Sequence, residues 1–287
     1  MSYMNLQTLL DATANESALR KAKHSLGELK AKIKDLPPTR GFVKALASRP
    51  FSLIAEIKAK SPSMGEMSPS DTLDAKKAHL IYESHPVVAA ISVLTQFNDF
   101  GGKPEDLIRI HKEVTKPVIR KDFILDEYEV YYSRSIGADA MLLMASVITD
   151  EAQFKHLHDL ALSLGLDVLC EVHSVEEIKR LPDTATLCGI NSRNFNSNAS
   201  TGASKIAGAG AKDLTTDLAT FDLFEHLPKS SVKIAESGLN AKNVEGVLNH
   251  YSFNAALVGT SLLRGGVQHT KAELDSFEHA IKAKSKA

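Results

Sequence analysis

A chain of 287 residues with 34 Lys and Arg against 35 Asp and Glu carries a formal charge of -1, so no basic field directs it to nucleic acid or to an anionic membrane surface. Its 43% hydrophobic and 24% charged residues are the composition of an ordinary globular protein, long enough for one α/β barrel or two small domains. The N-terminal stretch lacks the charged start and apolar core of a signal peptide, no run approaches the roughly 18 apolar residues of a membrane span, and two cysteines, Cys170 and Cys188, are too few for a metal site or disulfide framework, so a cytoplasmic, metal-free protein with buried free thiols is expected.

In chain order, residues 1–48 read as helices that end near DLPPTRG, an extension suited to capping a larger body. Within them KAKHSLGELKAKIK reads as a solvated helix face. Eight short runs rich in Val, Ile and Leu then follow: 51–58, 87–95, 117–121, 138–145, 166–173, 186–193, 232–238 and 255–261. Between them lie segments with apolar residues at helical spacing and starters at Pro104, Asp126, Asp150 and Asn240. Gly137 and Gly165 stand where a helix should end before a buried strand.

Strands separated by helices pair in parallel, and eight such units close a (β/α)₈ TIM barrel. The rival doubly wound sheet lacks its Gly-rich turn after the first strand. The expected architecture is therefore a single α/β barrel domain over residues 1–287, with 1–48 as its N-terminal helical extension. Residues 194–213, crowded with Asn, Ser, Gly and Ala, follow the sixth strand. They read either as a lid or as a dispensable, tolerated insertion whose removal leaves turnover within about tenfold.

Catalytic groups of a barrel gather at the C-terminal ends of its strands. In IAEIKAKSPSMGEM (54–67), Ala55, Ile57 and Ala59 alternate with Glu56, Lys58 and Lys60. The third strand ends on Lys121 and Asp122, the fifth on Glu171, the sixth on Asn191 and Arg193, and the seventh on Glu236 and Ser237. Two lysines, an arginine and three glutamates in one mouth suit acid/base chemistry on an anionic substrate. A lysine beside a carboxylate stays charged, whereas one crowded by Arg193 and a second lysine is pushed toward neutrality, and the sequence leaves open which is which. IAESGL (234–239) and LVGTSLLR (257–264) place glycine after the last two strands, where barrels hold phosphate. His173 shares the face of Glu171 and reads as structural or exposed.

IAEIKAKSPSMGEM, ISVLTQFNDFGGKPEDL, PVIRKDFILDEYEVYYSRSIGADAMLL, CEVHSVEEI, GINSRNF, IAESGL and LVGTSLLR, in this order and spacing, closely resemble indole-3-glycerol-phosphate synthase between about residues 45 and 265. The resemblance implies a monomeric barrel without cofactor or metal, acting on a phosphorylated small molecule. The reaction it implies converts 1-(2-carboxyphenylamino)-1-deoxyribulose 5-phosphate into indole-3-glycerol phosphate, carbon dioxide and water. It further implies Lys121 as general acid on the substrate carbonyl, Glu171 as the acid/base of dehydration, Lys58 as the binder of carboxylate and phosphate, and Glu56 as its support. Asn191 and Arg193 would flank the reacting centre, Ser61 and Ser237 contact substrate, and Phe123 and Leu142 wall the anthranilate ring. Gly238, Gly259 and Thr260 would form the phosphate cradle. The rival readings are a phosphoribosylanthranilate isomerase-like enzyme, which does not require two inward lysines, and a non-catalytic binding barrel, which predicts loss of Lys121 or Glu171.

Overall fold

The computed structural model describes residues 6–61, 65–66, 72–193 and 217–284. Eight parallel strands, β1 (Ser52–Ile57), β2 (Val88–Leu94), β3 (Val118–Lys121), β4 (Ala140–Met144), β5 (Asp167–Val172), β6 (Leu187–Asn191), β7 (Val232–Glu236) and β8 (Ala255–Val258), close into a barrel in which β8 pairs with β1. All eight fall within the runs read from the sequence. A short ribbon pairs Lys60–Ser61 with Gly65–Glu66 just beyond β1.

Strand alternation sorts the side chains into two cores. Leu53, Ala55 and Ile57 of β1 join the larger apolar cluster that faces the helices, whereas Ile54 joins the one inside the barrel. Even-numbered residues of β1 therefore point inward, and with them Glu56.

Three helices precede the barrel: α1 (Leu6–Lys23), α2 (Leu26–Lys34) and α3 (Phe42–Ala47). The KAKHSLGELKAKIK segment is not one solvated helix. It breaks at Ser25, whose hydroxyl accepts from Glu28 N–H while the Glu28 carboxylate accepts from Ser25 N–H, a capping box that starts α2 afresh. Buried Leu29 gives α2 an inner face. Helix α3 plugs the N-terminal end of the barrel with Phe42 and Leu46, both fully buried. It is pinned there because Val43 N–H donates to Asp167 and Arg40 N–H to Asp139, at 2.9 and 2.8 Å.

The remaining helices are α4 (Thr72–Ser84), α5 (Phe97–Phe100), α6 (Pro104–Glu113), α7 (Glu127–Ser135), α8 (Glu151–Ser163), α9 (Val175–Lys179), α10 (Val244–His250), α11 (Thr260–Leu263) and α12 (Gly266–Lys284). Pro104 opens α6, and the Asp126 and Asp150 carboxylates cap α7 and α8. Gly137 and Gly165 adopt φ of 93° and 79°, the left-handed turn that ends α7 and α8. One expectation shifts. Asn240 does not start α10: its side chain accepts from Lys242 N–H and Asn243 N–H in a local turn, and the helix begins at Val244. After β6 the helical segment is a 3₁₀ helix, Leu218–His226. The 194–213 stretch lies outside the described residues.

Candidate active site

Glu56, Lys58, Lys121, Glu171, Asn191 and Glu236 all stand at the C-terminal ends of strands or one residue beyond, and all face the barrel interior. A barrel core packs in layers of four side chains from alternate strands. The uppermost layer here draws Glu56 from β1, Lys121 from β3, Glu171 from β5 and Glu236 from β7. Lys121 Nζ is its hub, 2.7 Å from Glu236, 3.7 Å from Glu171 and 4.0 Å from Glu56. Lys58 Nζ lies 2.7 Å from the other oxygen of Glu56.

Such a layer tolerates burial only because opposite charges meet. Burial works against the Lys121 ammonium, but Glu236, Glu171 and Glu56 more than offset it and hold the charge above the ordinary lysine range. Lys58 goes the other way. Burial pushes it down, Glu56 only partly restores it, and Arg193 and Lys121 push it further down. Glu56 is raised by burial but lowered more by Lys58, Lys121 and Arg193, so it ends below the usual carboxylate range. Glu236, fully buried, is pushed up to about 8 by desolvation and by Glu171, against the pull of Lys121. The question left open by the sequence is thus answered: Lys121 is the firmly charged lysine and Lys58 the weakened one.

Glu236 ended the seventh strand in the sequence, but the family resemblance gave it no role. It is the nearest partner of Lys121. Its place depends on Gly189 of β6, where an added Cβ would sit 2.1 Å from Glu236 Oε1. Asp122 departs from expectation in the opposite sense. It points away from the mouth, where its carboxylate accepts from Arg120 at 2.7 Å, Thr95 at 2.6 Å and Phe123 N–H at 2.9 Å. The period of two makes this necessary once Lys121 faces inward.

Around the charged layer, Phe123 and Leu142 belong to the interior apolar cluster, with Phe100, Met144 and Leu9 beside them. Asn191 is buried, and its side-chain oxygen accepts from Arg193 N–H at 2.9 Å, which fixes the half-buried Arg193 at the rim. Ser61 belongs to the ribbon beyond β1; its side chain lies outside the described residues. Ser237 and Gly238, just after β7, both take positive φ, 68° and 69°, and the Ser192 hydroxyl donates to the Ser237 carbonyl at 3.0 Å. Strain in a non-glycine residue at a strand end marks a backbone held for a purpose. Gly259, after β8, is required by its own neighbours: a Cβ there would lie 2.3 Å from Glu56 Oε1 and 3.0 Å from Lys58 Nζ. This glycine sets the Glu56–Lys58 pair directly against the loop that leads to Thr260. His173 is only slightly exposed, with its side chain 3.7 Å from Glu171. Among the described residues, one group has metal-ligand geometry, His85, Asp275 and Glu278; it lies at the opposite end of the barrel, with Glu278 paired to Lys282.

Comparison with known proteins agrees in two independent ways. Solved barrels share the architecture at low identity: 3-hexulose-6-phosphate synthase from Salmonella typhimurium aligns at a TM-score of 0.56 and 14% identity over 81% of this chain and 99% of that one. N-(5'-phosphoribosyl)anthranilate isomerase from Pyrococcus furiosus aligns at 0.51 and 17% over 81% and 99%, so these likenesses speak to fold alone. Sequence reaches further. An indole-3-glycerol phosphate synthase of Magnetococcus marinus is 36% identical over 269 residues, covering 91% of this chain and 93% of the relative. One from Lachnospira eligens is 38% identical over 226 residues, covering 78% and 79%. A model of the indole-3-glycerol phosphate synthase family also matches residues 6–274. On that near-complete match the chain belongs to the indole-3-glycerol phosphate synthase family, and it is a decarboxylating, ring-closing lyase of tryptophan biosynthesis.

Proposed function

We propose that Lys121 is the general acid of ring closure and Glu171 the acid/base of dehydration, with Lys58, Glu56, Asn191 and Arg193 completing the reacting centre. The observation that carries this reading is the ammonium of Lys121 with three carboxylates around it. Attack of the anthranilate ring carbon on the ketone needs a proton donor at the carbonyl oxygen, and Lys121 is held in its protonated form. Departure of carbon dioxide then returns the electron pair to the ring. Loss of the new hydroxyl as water needs a second proton, and loss of a ring C–H proton to a base completes the indole. Glu171, beside Lys121, is placed to serve these last steps. Lys58, with its weakened ammonium, binds the substrate carboxylate and phosphate and exchanges protons near Glu56.

Phe123 and Leu142 form the apolar wall against the anthranilate ring, and Ser61 and Ser237 contact the substrate. Gly238, Gly259 and Thr260 hold the phosphate, a role supported by the positive φ at Gly238 and by the nearness of Lys58 to Gly259. The whole of 1–287 works as one barrel domain with 1–48 as its extension. The enzyme is a cytoplasmic monomer.

The test is an indole-fluorescence assay on wild type, Lys121→Met and Glu171→Gln. A loss of at least about 10²-fold in each variant upholds the assignment, and a variant within about tenfold of wild type overturns it for that residue. Light scattering in solution checks the monomer, with a mass near 31.1 kDa expected.

A further inference from the structure

The ring closure consumes a proton from water. The substrate carboxylate leaves as neutral carbon dioxide; the carbonyl oxygen takes one proton to become hydroxyl and a second to leave as water, and one ring proton is returned. Two taken up and one given back leave a net demand of one proton per turnover. Yet the two carboxylates nearest Lys121 are sealed. Glu171 is 1% exposed and Glu236 0%, and neither can be recharged by direct contact with solvent.

Besides Lys121, one side chain reaches from Glu171 toward the surface. His173 follows it by two residues on the same face, with Nε2 3.7 Å from Glu171 Oε1. Its other ring nitrogen, Nδ1, lies 3.5 Å from Glu177 Oε2 on α9. Glu177 is itself fixed, because the same oxygen accepts from His173 N–H at 2.7 Å and its own N–H donates to the Ser174 hydroxyl at 3.2 Å. Both carboxylate oxygens of Glu171 and both ring nitrogens of His173 are buried and make no hydrogen bond among the described residues. The side chains of His173 and Glu177 are each 14% exposed, against 1% for Glu171.

Glu171 gives one proton to the departing hydroxyl and takes the ring proton back, so the unmet demand is that of Lys121, 3.7 Å away. We infer that Glu171 passes its proton on to Lys121 and that His173, oriented by Glu177, then recharges Glu171 in each catalytic cycle. The imidazolium gives its Nε2 proton to the Glu171 carboxylate and is left neutral with its other proton on Nδ1; the ring then turns to bring the bare Nε2 beside Glu177, takes a solvent proton there and turns back. One N–H bond breaks as one O–H bond forms, and the solvent proton balances the demand of the reaction. Transfer requires each gap to close to about 2.7–3.2 Å, a movement of under about 1 Å and within ordinary side-chain motion.

The groups facing His173 are Glu171 on its own strand, Glu177 on α9 and Glu236 on β7, with Lys121 of β3 on the far side of Glu171. Burial opposes the imidazolium, but Glu177, Glu171 and Glu236 outweigh it and hold His173 above its ordinary value, so the donor form is present near neutrality. His173 acts through Glu171, as a supporting residue.

The inference rests on Glu171 as the acid/base, and the experiment separates the two. Steady-state turnover is measured for wild type, Glu171→Gln, His173→Gln and His173→Ala, in water and in deuterium oxide, with and without added imidazole. The expected result is a fall of about tenfold in kcat for both His173 variants, with kcat/KM less affected. The solvent isotope effect on kcat should rise in His173→Gln, or imidazole should restore turnover to His173→Ala. The inference is overturned if kcat stays within about twofold of wild type, or if it falls with neither response, which a purely structural role would give. An active Glu171→Gln removes the underlying acid/base reading; an inactive one beside normal His173 variants removes the proton supply alone.

Discussion

A methyl group at position 189 would fall 2.1 Å from Glu236 Oε1 and 3.1 Å from the Leu169 side chain. Gly189→Ala should therefore push Glu236 off Lys121. Displacement of about 1 Å in such a constellation costs on the order of 10²-fold in rate, and overpacking about 1–3 kcal/mol in stability. Assay and urea denaturation of the variant check both. Glu236 also makes stability depend on pH. Its folded value near 8 stands above the 4.5 of an ordinary glutamate, so the folded chain keeps a proton that the unfolded chain has released. Stability from this group is present in full below 4.5 and falls as pH rises toward 8. Lys121, raised rather than lowered, loses its contribution only above the usual lysine range and leaves this window unaffected. Glu236→Gln should gain melting temperature relative to wild type progressively between about pH 5 and 8; a constant difference would contradict the assignment. At this scale the inward set Glu56, Lys58, Lys121, Glu171 and Asn191 was legible from alternation and strand-end position. The outward turn of Asp122 follows from the same period of two once Lys121 faces inward. The grip of Gly189 on Glu236 was not, because it depends on the register of β6 against β7.

A buried carboxylate ties helix α1 to the barrel. Glu129 on α7 accepts from the Ser17 hydroxyl at 2.6 Å and from Arg20 at 3.0 Å, and its second oxygen pairs at 2.8 Å with Arg120, whose side chain is fully buried. Arg120 in turn holds Asp122, which fixes the Phe123 N–H. Extension, α7 and the turn after β3 are thus one ionic chain. Removing a partner from a buried pair leaves an uncompensated charge, so Glu129→Ala should lose about 3–5 kcal/mol. Arg20→Ala, at a partly exposed end, should lose about 1.5–3 kcal/mol. Denaturant unfolding of the two variants tests the order. Strands and most helix starts were legible here, since short Val/Ile/Leu runs and Asp caps act locally. The break at Ser25 was written in the S-L-G-E capping box, while the attachment of α1 was not, because Ser17 and Glu129 are 112 positions apart.

Over the whole molecule, the charged layer is shared between the two halves of the barrel. β1 to β4 bring Glu56, Lys58 and Lys121, in which cations outnumber anions; β5 to β8 bring Glu171 and Glu236, two buried carboxylates with no buried lysine on those strands to meet them. Each half carries what the other lacks. A chain cut between β4 and α8 should yield fragments that associate on mixing, seen as a complex of full mass by size exclusion. Lys121→Met in the first fragment should weaken that association more than Lys58→Met, because only Lys121 reaches across to β5 and β7. The lysine proposed as general acid would then also be the pin that holds the two halves of the barrel in register.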